Sequence, residues 1–306
     1  MNWNAGRQLH DCLVSIARHG AHLTASVTVV DNGSTDSSAD SLGNLGLPLR
    51  IIRNGHNRGF GAACNQGAEG GHAAYLLFLN PDTRLYEQSL DRAYTLMQSP
   101  GNSDVGICGI QMVDESGAVT GSCSRFPTLR GFVLGAMGLD RLGPLKRAGI
   151  PMREWDHART QTVDQVIGAF FFMRRDLFAS LGGFDARFFV YFEEVDLSLR
   201  ARQAGWRSVY IADAQLFHAG GGTTRQVKAA RLFYSMRSRL KYGFKNFSRP
   251  KAWALLCSTT LFEPWMRLGF ALLKDGYAGC RNTVAGYRML FASLPEIIAS
   301  RKLPRA

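Results

Sequence analysis

Asn80-Pro81-Asp82 follows directly on Ala74-Tyr75-Leu76-Leu77-Phe78-Leu79, a continuous apolar run of strand length such as a parallel sheet buries on both faces. In open α/β sheets, ligands bind at the carboxyl ends of the strands. A carboxylate held there behind a proline, Asp82, is placed to hold a divalent cation against a diphosphate. Two further acidic positions occur at comparable points of the chain, in Val27-Thr28-Val29-Val30-Asp31 and in Tyr191-Phe192-Glu193-Glu194-Val195-Asp196. Together they point to an enzyme that handles a nucleotide-activated substrate. Each also has a plainer reading. Asp31 opens an Asp-Asn-Gly-Ser sequence that suits an Asx-turn, and Asp196 stands four residues before Arg200 on one helix, the spacing of an ion pair.

The elements that must position these groups follow from hydrophobic spacing. Leu9, Cys12, Leu13 and Ile16 recur at helical intervals within residues 7–18. A strand over 26–31, a short helix over 36–42, a strand at 49–53, a helix over 60–70 and the 74–79 strand come next, then a helix over 87–98 and a strand at 105–110. Strands alternating with helices imply βαβ units and a mostly parallel sheet. Residues 114–160 read as irregular loops, and Val163 to Met173 as a strongly apolar segment. Asp176 to Leu181 reads as a helix closed by Gly182-Gly183, and residues 194–204 as a helix whose acidic first turn suits the dipole. Residues 2–6 read as the loop that follows a first strand. We therefore expect that strand upstream of Met1, because losing a central strand would expose the edges of its neighbours.

Composition divides the chain in two. Residues 225–306 carry 16 Lys/Arg against three acidic residues, +13 of the total +12, while residues 1–224 are near neutral at −1. Six scattered cysteines without a Cys-x-x-Cys pair exclude a zinc module or disulfide framework and fit a reducing compartment. The first residues lack an apolar h-region, so no secretory signal is expected.

In order along the chain stand Asn2-Trp3-Asn4, Val30-Asp31-Asn32-Gly33-Ser34-Thr35-Asp36, Asn54-Gly55-His56-Asn57-Arg58-Gly59-Phe60, Asn80-Pro81-Asp82, Gly182-Gly183-Phe184-Asp185, Glu193-Glu194-Val195-Asp196 and His218-Ala219-Gly220-Gly221-Gly222. Over residues 2–225 the chain thus resembles the family 2 inverting glycosyltransferases of GT-A fold, particularly the rhamnosyltransferase-like branch. The resemblance implies a GT-A domain at 1–224 and assigns Asp31 to the pyrimidine base of the donor, with Asn57 and Arg58 at its diphosphate or ribose. It makes Asp82, with His218, the holder of Mg or Mn. Asn80 replaces the first of two acidic residues usual there. Glu194, in the place of the second residue of a Glu-Asp pair, becomes the base that takes the acceptor proton. Glu193 would orient it, and Gly168, Phe184 and Asp185 would border the acceptor. The implied reaction moves one sugar from a nucleoside diphosphate, best dTDP-L-rhamnose, with inversion onto a lipid-linked or glycan acceptor.

Residues 225–306 read as a basic helical appendage. Between 228 and 247, Lys228, Arg231, Arg237, Arg239, Lys241 and Lys245 interleave with Leu232, Phe233, Tyr234, Met236, Leu240, Tyr242 and Phe244, the pattern of a helix lying on an anionic membrane. Trp253 to Phe262 is apolar but is interrupted by Glu263, Pro264 and Arg267 before the ~20 residues a spanning helix needs. The expected location is therefore peripheral, on the cytoplasmic face of the membrane, with no nucleic-acid partner. Two rivals remain open at this level: a sugar-phosphate nucleotidyltransferase, whose Gly-rich triphosphate loop is missing here, and a non-catalytic basic membrane-binding or nucleic-acid-binding protein.

Overall fold

The computed structural model describes residues 1–40, 42–220 and 228–302. Contacts divide these into two compact units. One takes residues 1–124, 155–186 and the described part of 193–223; the other takes 125–154, 187–192 and the described C-terminal residues. The expected boundary at 224/225 falls outside the described residues, as do Ser41, Gly221 and Gly222.

In the first unit the strands are β1 (Val27–Asp31), β2 (Leu49–Arg53), β3 (Tyr75–Leu79), β4 (Thr83–Leu85), β5 (Val105–Val113), β6 (Val119–Thr120), β7 (Cys123–Ser124), β8 (Gln161–Val163), β9 (Gln165–Val166), β10 (Phe170–Arg174) and β11 (Arg207–His218). Its helices are α1 (Arg7–His19), α2 (Phe60–Ala68), α3 (Ser89–Gln98), α5 (Arg175–Ser180) and α6 (Glu193–Gln203), with α4 (Leu129–Ala136) in the second unit. A seven-stranded sheet runs β3-β10-β5-β11-β4, with β6 on β5 and β8 on β11. β5 is buried at all nine positions, which explains its nearly unbroken apolar sequence.

Four expectations are corrected. The sheet is mixed rather than mostly parallel: among the described strands β1–β2 and β5–β11 pair parallel, and β10 returns antiparallel between β3 and β5. β11, the longest strand, was not expected, since Asp213 and Gln215 break its apolar run where the ladder with β5 shifts register. Residues 38–40 are turns instead of helix, because the Asp36 carboxylate accepts the N–H groups of Gly6 and Ser38 and so competes with helical bonding. The 114–160 segment is not all loop. It contains α4, whose N-cap Thr128 accepts the Gly131 N–H.

Asn2 continues alongside the end of β1, donating to Val30 O and accepting from Asn32 N, both at 2.8 Å. Beside this bridge, β1–β2 forms a sheet separate from the seven-stranded one. The two sheets border a cavity of about 620 Å³ lined by Met1, Val27, Val29, Leu77 and Leu79.

The second unit holds α7 (Lys228–Asn246), α8 (Arg249–Cys257) and α9 (Glu263–Ala299). Gly276, at φ 60°, interrupts α9. The chain folds back there: Cys280 Sγ lies 3.8 Å from Leu268 O, and a Cβ on Gly279 would meet Ala271 O at 2.9 Å. Leu240, Leu255, Tyr287, Leu290 and Ile297 form the core between these helices. Three cations of the expected membrane-facing set, Arg239, Lys241 and Lys245, are buried in this unit rather than turned outward. Arg239 donates to Glu263, and Lys241 to Glu296 at 2.8 Å.

Gly109 allows β9 to cross β5 closely, since a Cβ there would stand 2.7 Å from Val166 Cβ. Gly109→Ala should therefore destabilise the first unit by about 1–3 kcal/mol, read as a lower urea midpoint at unchanged slope.

Candidate active site

β1 delivers Asp31 to its carboxyl end, 6% exposed. Asn2 Nδ2 donates to its Oδ1 at 2.8 Å, and Ser34 Oγ donates to the same oxygen. These bonds leave the other carboxylate oxygen as the acceptor for an incoming N–H. What orients the carboxylate is this pair of side chains, Asn2 and Ser34.

Behind Asp31 lies a network the sequence reading missed. Fully buried Asn32 donates to Asn57 Oδ1 at 2.8 Å and to Gly59 O at 3.1 Å, while its own Oδ1 accepts from Arg58 N and Asn54 Nδ2. Gly33 permits this closeness: at φ 77° it brings the 32–34 turn so near the next loop that a Cβ would lie 2.8 Å from His56 C. The network fixes Asn57 through its Oδ1, which accepts from Asn32 Nδ2 and Gly59 N, and holds the backbone of Arg58, whose side chain is exposed. Two Asn-Gly pairs, at 32–33 and 54–55, were the available signal.

At the end of β3, Asn80 N–H donates to Ala169 O, and Asn80 O accepts from Thr83 Oγ1 at 2.7 Å. That turn presents Asp82. His218, at the end of β11 and paired in register with Thr83, places Nε2 3.5 Å from Asp82 Oδ1. The two residues expected to share a cation are therefore neighbours, and a cleft of about 260 Å³ borders Asp82, Thr83 and Ala219. Among the described residues no three His, Cys, Asp or Glu side chains converge on a metal position. One carboxylate and one imidazole do not make a closed structural site. They do fit a Mg or Mn ion whose remaining positions are filled by phosphate and water oxygens.

α6 brings the third acidic cluster. Its first turn holds Glu193, Glu194 and Asp196, and the two residues before it, Tyr191 and Phe192, have φ of 67° and 72°. Consecutive left-handed non-glycine residues cost of order 1–3 kcal/mol each and mark a backbone position fixed by its surroundings. Asp196 carries the ion pair, with Arg200 Nε at 2.8 Å. Glu193 is 4% exposed and packs against Gly61 at the start of α2. Glu194 Oε2 is sealed from solvent and has no hydrogen-bond partner among the described residues. Burial pushes its carboxyl above the usual glutamate range, against the opposing pull of the N–H groups of Glu194, Val195 and Gly168.

Gly168, between Phe60 and Glu194, thus touches the candidate base. Phe184 does not border an open site. It is 2% exposed, its ring lies 4.8 Å from Phe78 and 6.2 Å from Phe60, and it belongs to the aromatic core. The ring expected to border the acceptor is thus taken up by the core, and exposing that face would unpack the cluster. Asp185, beside it, is 8% exposed. The buried thiols of Cys12 and Cys64, pushed up to about 11 and 12, carry no nucleophilic role.

A sequence profile described as "Glycosyl transferase family 2" matches residues 2–182. An N-acetylglucosaminyl-diphospho-decaprenol L-rhamnosyltransferase of Mycobacterium tuberculosis is 29% identical over 252 residues, covering 76% of this chain and 78% of that protein. The rhamnosyltransferase WbbL of Escherichia coli is 28% identical over 169 residues, 55% of this chain and 61% of the relative. Among solved structures, the mannosyltransferase PcManGT from Pyrobaculum calidifontis, in complex with GDP-Man and Mn²⁺, superposes with a TM-score of 0.54 at 16% identity, over 98% of this chain and 83% of that one. That likeness concerns the fold, which is a GT-A-like α/β arrangement with a mixed sheet and a C-terminal helical region. Strand-end carboxylates, amide-braced loops and the matched profile lead to one conclusion: the chain is a glycosyltransferase and belongs to glycosyl transferase family 2.

Proposed function

We propose that this enzyme transfers L-rhamnose from dTDP-L-rhamnose, with inversion, onto a lipid-linked or glycan acceptor in cell-surface polysaccharide synthesis, working as a peripheral protein at the cytoplasmic face of the membrane. The observation that carries the catalytic part is Glu194 Oε2, an enclosed carboxylate oxygen without a partner among the described residues. The names of the rhamnosyltransferase relatives support the donor sugar and the lipid-linked acceptor.

In this reading the acceptor hydroxyl oxygen forms a bond to the anomeric carbon as the bond to the diphosphate oxygen breaks. Its proton passes to Glu194, and the diphosphate leaves from the opposite face of the sugar. Asp31 accepts the N–H of the thymine ring, and Asn57 and Arg58 hold the ribose and diphosphate. Asp82 and His218 would hold the divalent cation, which neutralises charge on the departing diphosphate when bound. Glu193, wedged against α2, positions Glu194. Asp185 and Gly168 stand at the acceptor side.

Glu194→Gln should lower transfer by about 10²–10⁴-fold while leaving donor affinity near normal, because the amide keeps the shape and cannot take the proton. Full activity in that variant, measured with dTDP-L-rhamnose and a polyprenyl-diphosphate sugar, would sink the assignment.

The same group sets a pH dependence. Catalysis requires the carboxylate, so kcat/KM should rise with pH through a midpoint above the ordinary glutamate value of 4.5. Stability should move the other way. A carboxyl whose folded pKa is raised binds more protons folded than unfolded, so its contribution is complete below 4.5 and is lost as pH rises through the folded pKa. Glu194→Gln should therefore be more stable than the parent near neutrality and equal to it in acid. Denaturation at both pH values checks this.

Asp82→Ala should weaken binding of dTDP in the presence of Mn²⁺ and leave metal-free binding unchanged. Calorimetry giving equal Mn²⁺-dependent affinities for variant and parent would remove Asp82 from the cation site.

A further inference from the structure

The second unit turns charge inward and apolar surface outward. From Leu261 to Leu273 the only ionisable residues are Glu263 and Arg267, and they are bonded to one another at 2.6 Å. Burial opposes ionisation of Glu263, but Arg239 and Arg267 outweigh it and hold the carboxyl below its usual range. The outer face of the same stretch shows Phe262, Trp265, Met266, Phe270, Leu273 and, past the Gly276 turn, Tyr277. Up to Leu273 these recur at three- and four-residue steps, which line up one side of a helix, and Tyr277 follows the turn. Trp265 is 74% exposed, Leu273 87% and Tyr277 83%. Such a stripe is far beyond the scattered apolar residues of an ordinary surface.

We infer that the hairpin formed by 261–275 and 277–299 is a membrane-insertion element, which seats this outer stripe in the interfacial region of a bilayer containing anionic lipid. Charge complementarity selects that occupant. Lys274, at the tip, and Arg281 and Arg288, on the returning arm, are exposed, and their long stems reach headgroups while the apolar face sinks below them. Residues 261–275 make a helical rod of about 22 Å at 1.5 Å per residue, less than the ~30 Å hydrocarbon core. Among the described residues no helix is long and apolar enough to cross a membrane. The hairpin therefore dips into one leaflet. This inference deepens the peripheral-attachment part of the proposed function. It replaces attachment through the cationic face of α7 with attachment through apolar insertion.

The test uses the full chain without donor or acceptor, so that its failure and the failure of the sugar-transfer reading are separate results. Sedimentation with phosphatidylglycerol-containing vesicles should pellet the parent, with a substantial bound fraction persisting in ~1 M salt, where the Debye length is about 3 Å. Phe270→Glu combined with Leu273→Glu should reduce binding at least tenfold. Leu273→Ser combined with Tyr277→Ser changes only the most exposed positions and serves if the glutamate pair disturbs folding, as judged by the thermal midpoint. The inference is overturned if the parent stays in the supernatant, if salt abolishes its binding, or if folded variants pellet like the parent. It is equally overturned if light scattering shows a dimer that these substitutions dissociate.

Discussion

The ion pair between Asp196 and Arg200 is the contact on which the acidic first turn of α6 depends. Asp196 has no exposed surface, and the Arg200 guanidinium reaches beyond it to the carbonyls of Leu181 and Gly183, at 2.5 and 2.7 Å. Each buried charge is therefore answered by its partner and by backbone dipoles. Removing either partner leaves a buried charge uncompensated, at a cost of about 3–5 kcal/mol. Through Arg200 the helix is tied to the glycine turn ahead of Phe184. Phe184 packs on Phe78 of β3 and Phe60 of α2. One ion pair thus links the carboxylates of α6 to the strand end that bears Asp82 and to the helix that follows the Asn57 loop.

The parts of this site that were legible in the sequence are those where a short apolar run stops at a polar group. The run before Asn80 and the run before Asp31 both became strands with a carboxylate at or just past the carboxyl end, but the burial on both faces expected of the first is not found: β3 is an edge strand, antiparallel to β10 and buried only at Phe78. Gly182 and Gly183 were legible as a helix terminus because both need positive φ, and both have it. Strand direction was not legible. Nothing local distinguishes β10 running antiparallel from the parallel strand expected, since that depends on how the 114–160 excursion returns. β11 stayed hidden because its alternation is interrupted at a register shift. The left-handed Tyr191 and Phe192 had no sequence signal, as neither residue type favours that conformation.

Charge in the C-terminal residues shows a different limit. Counting Lys and Arg suggests a solvated cationic face, and helical spacing alone supports it. In the fold, Glu263 stands between Arg239 and Arg267, and Glu296 between Arg237 and Lys241. Two of the three acidic residues in this region therefore neutralise cations close to the core, while exposed cations remain on all three helices, among them Lys228 and Arg231 on α7, Arg249 and Lys251 on α8, and Arg281 and Arg288 on α9. Net charge is a property of the composition. Which charges meet solvent is decided by the few opposite charges available.

The loops behind Asp31 are braced by amides, with Asn32, Asn54 and Asn57 bonded to one another and to the backbone of Arg58 and Gly59. Amide groups neither titrate in the working range nor respond to ionic screening as charges do. The brace behind Asp31 is consequently indifferent to buffer conditions, and the loops it joins keep their spacing where a charge-braced turn would loosen with pH or salt.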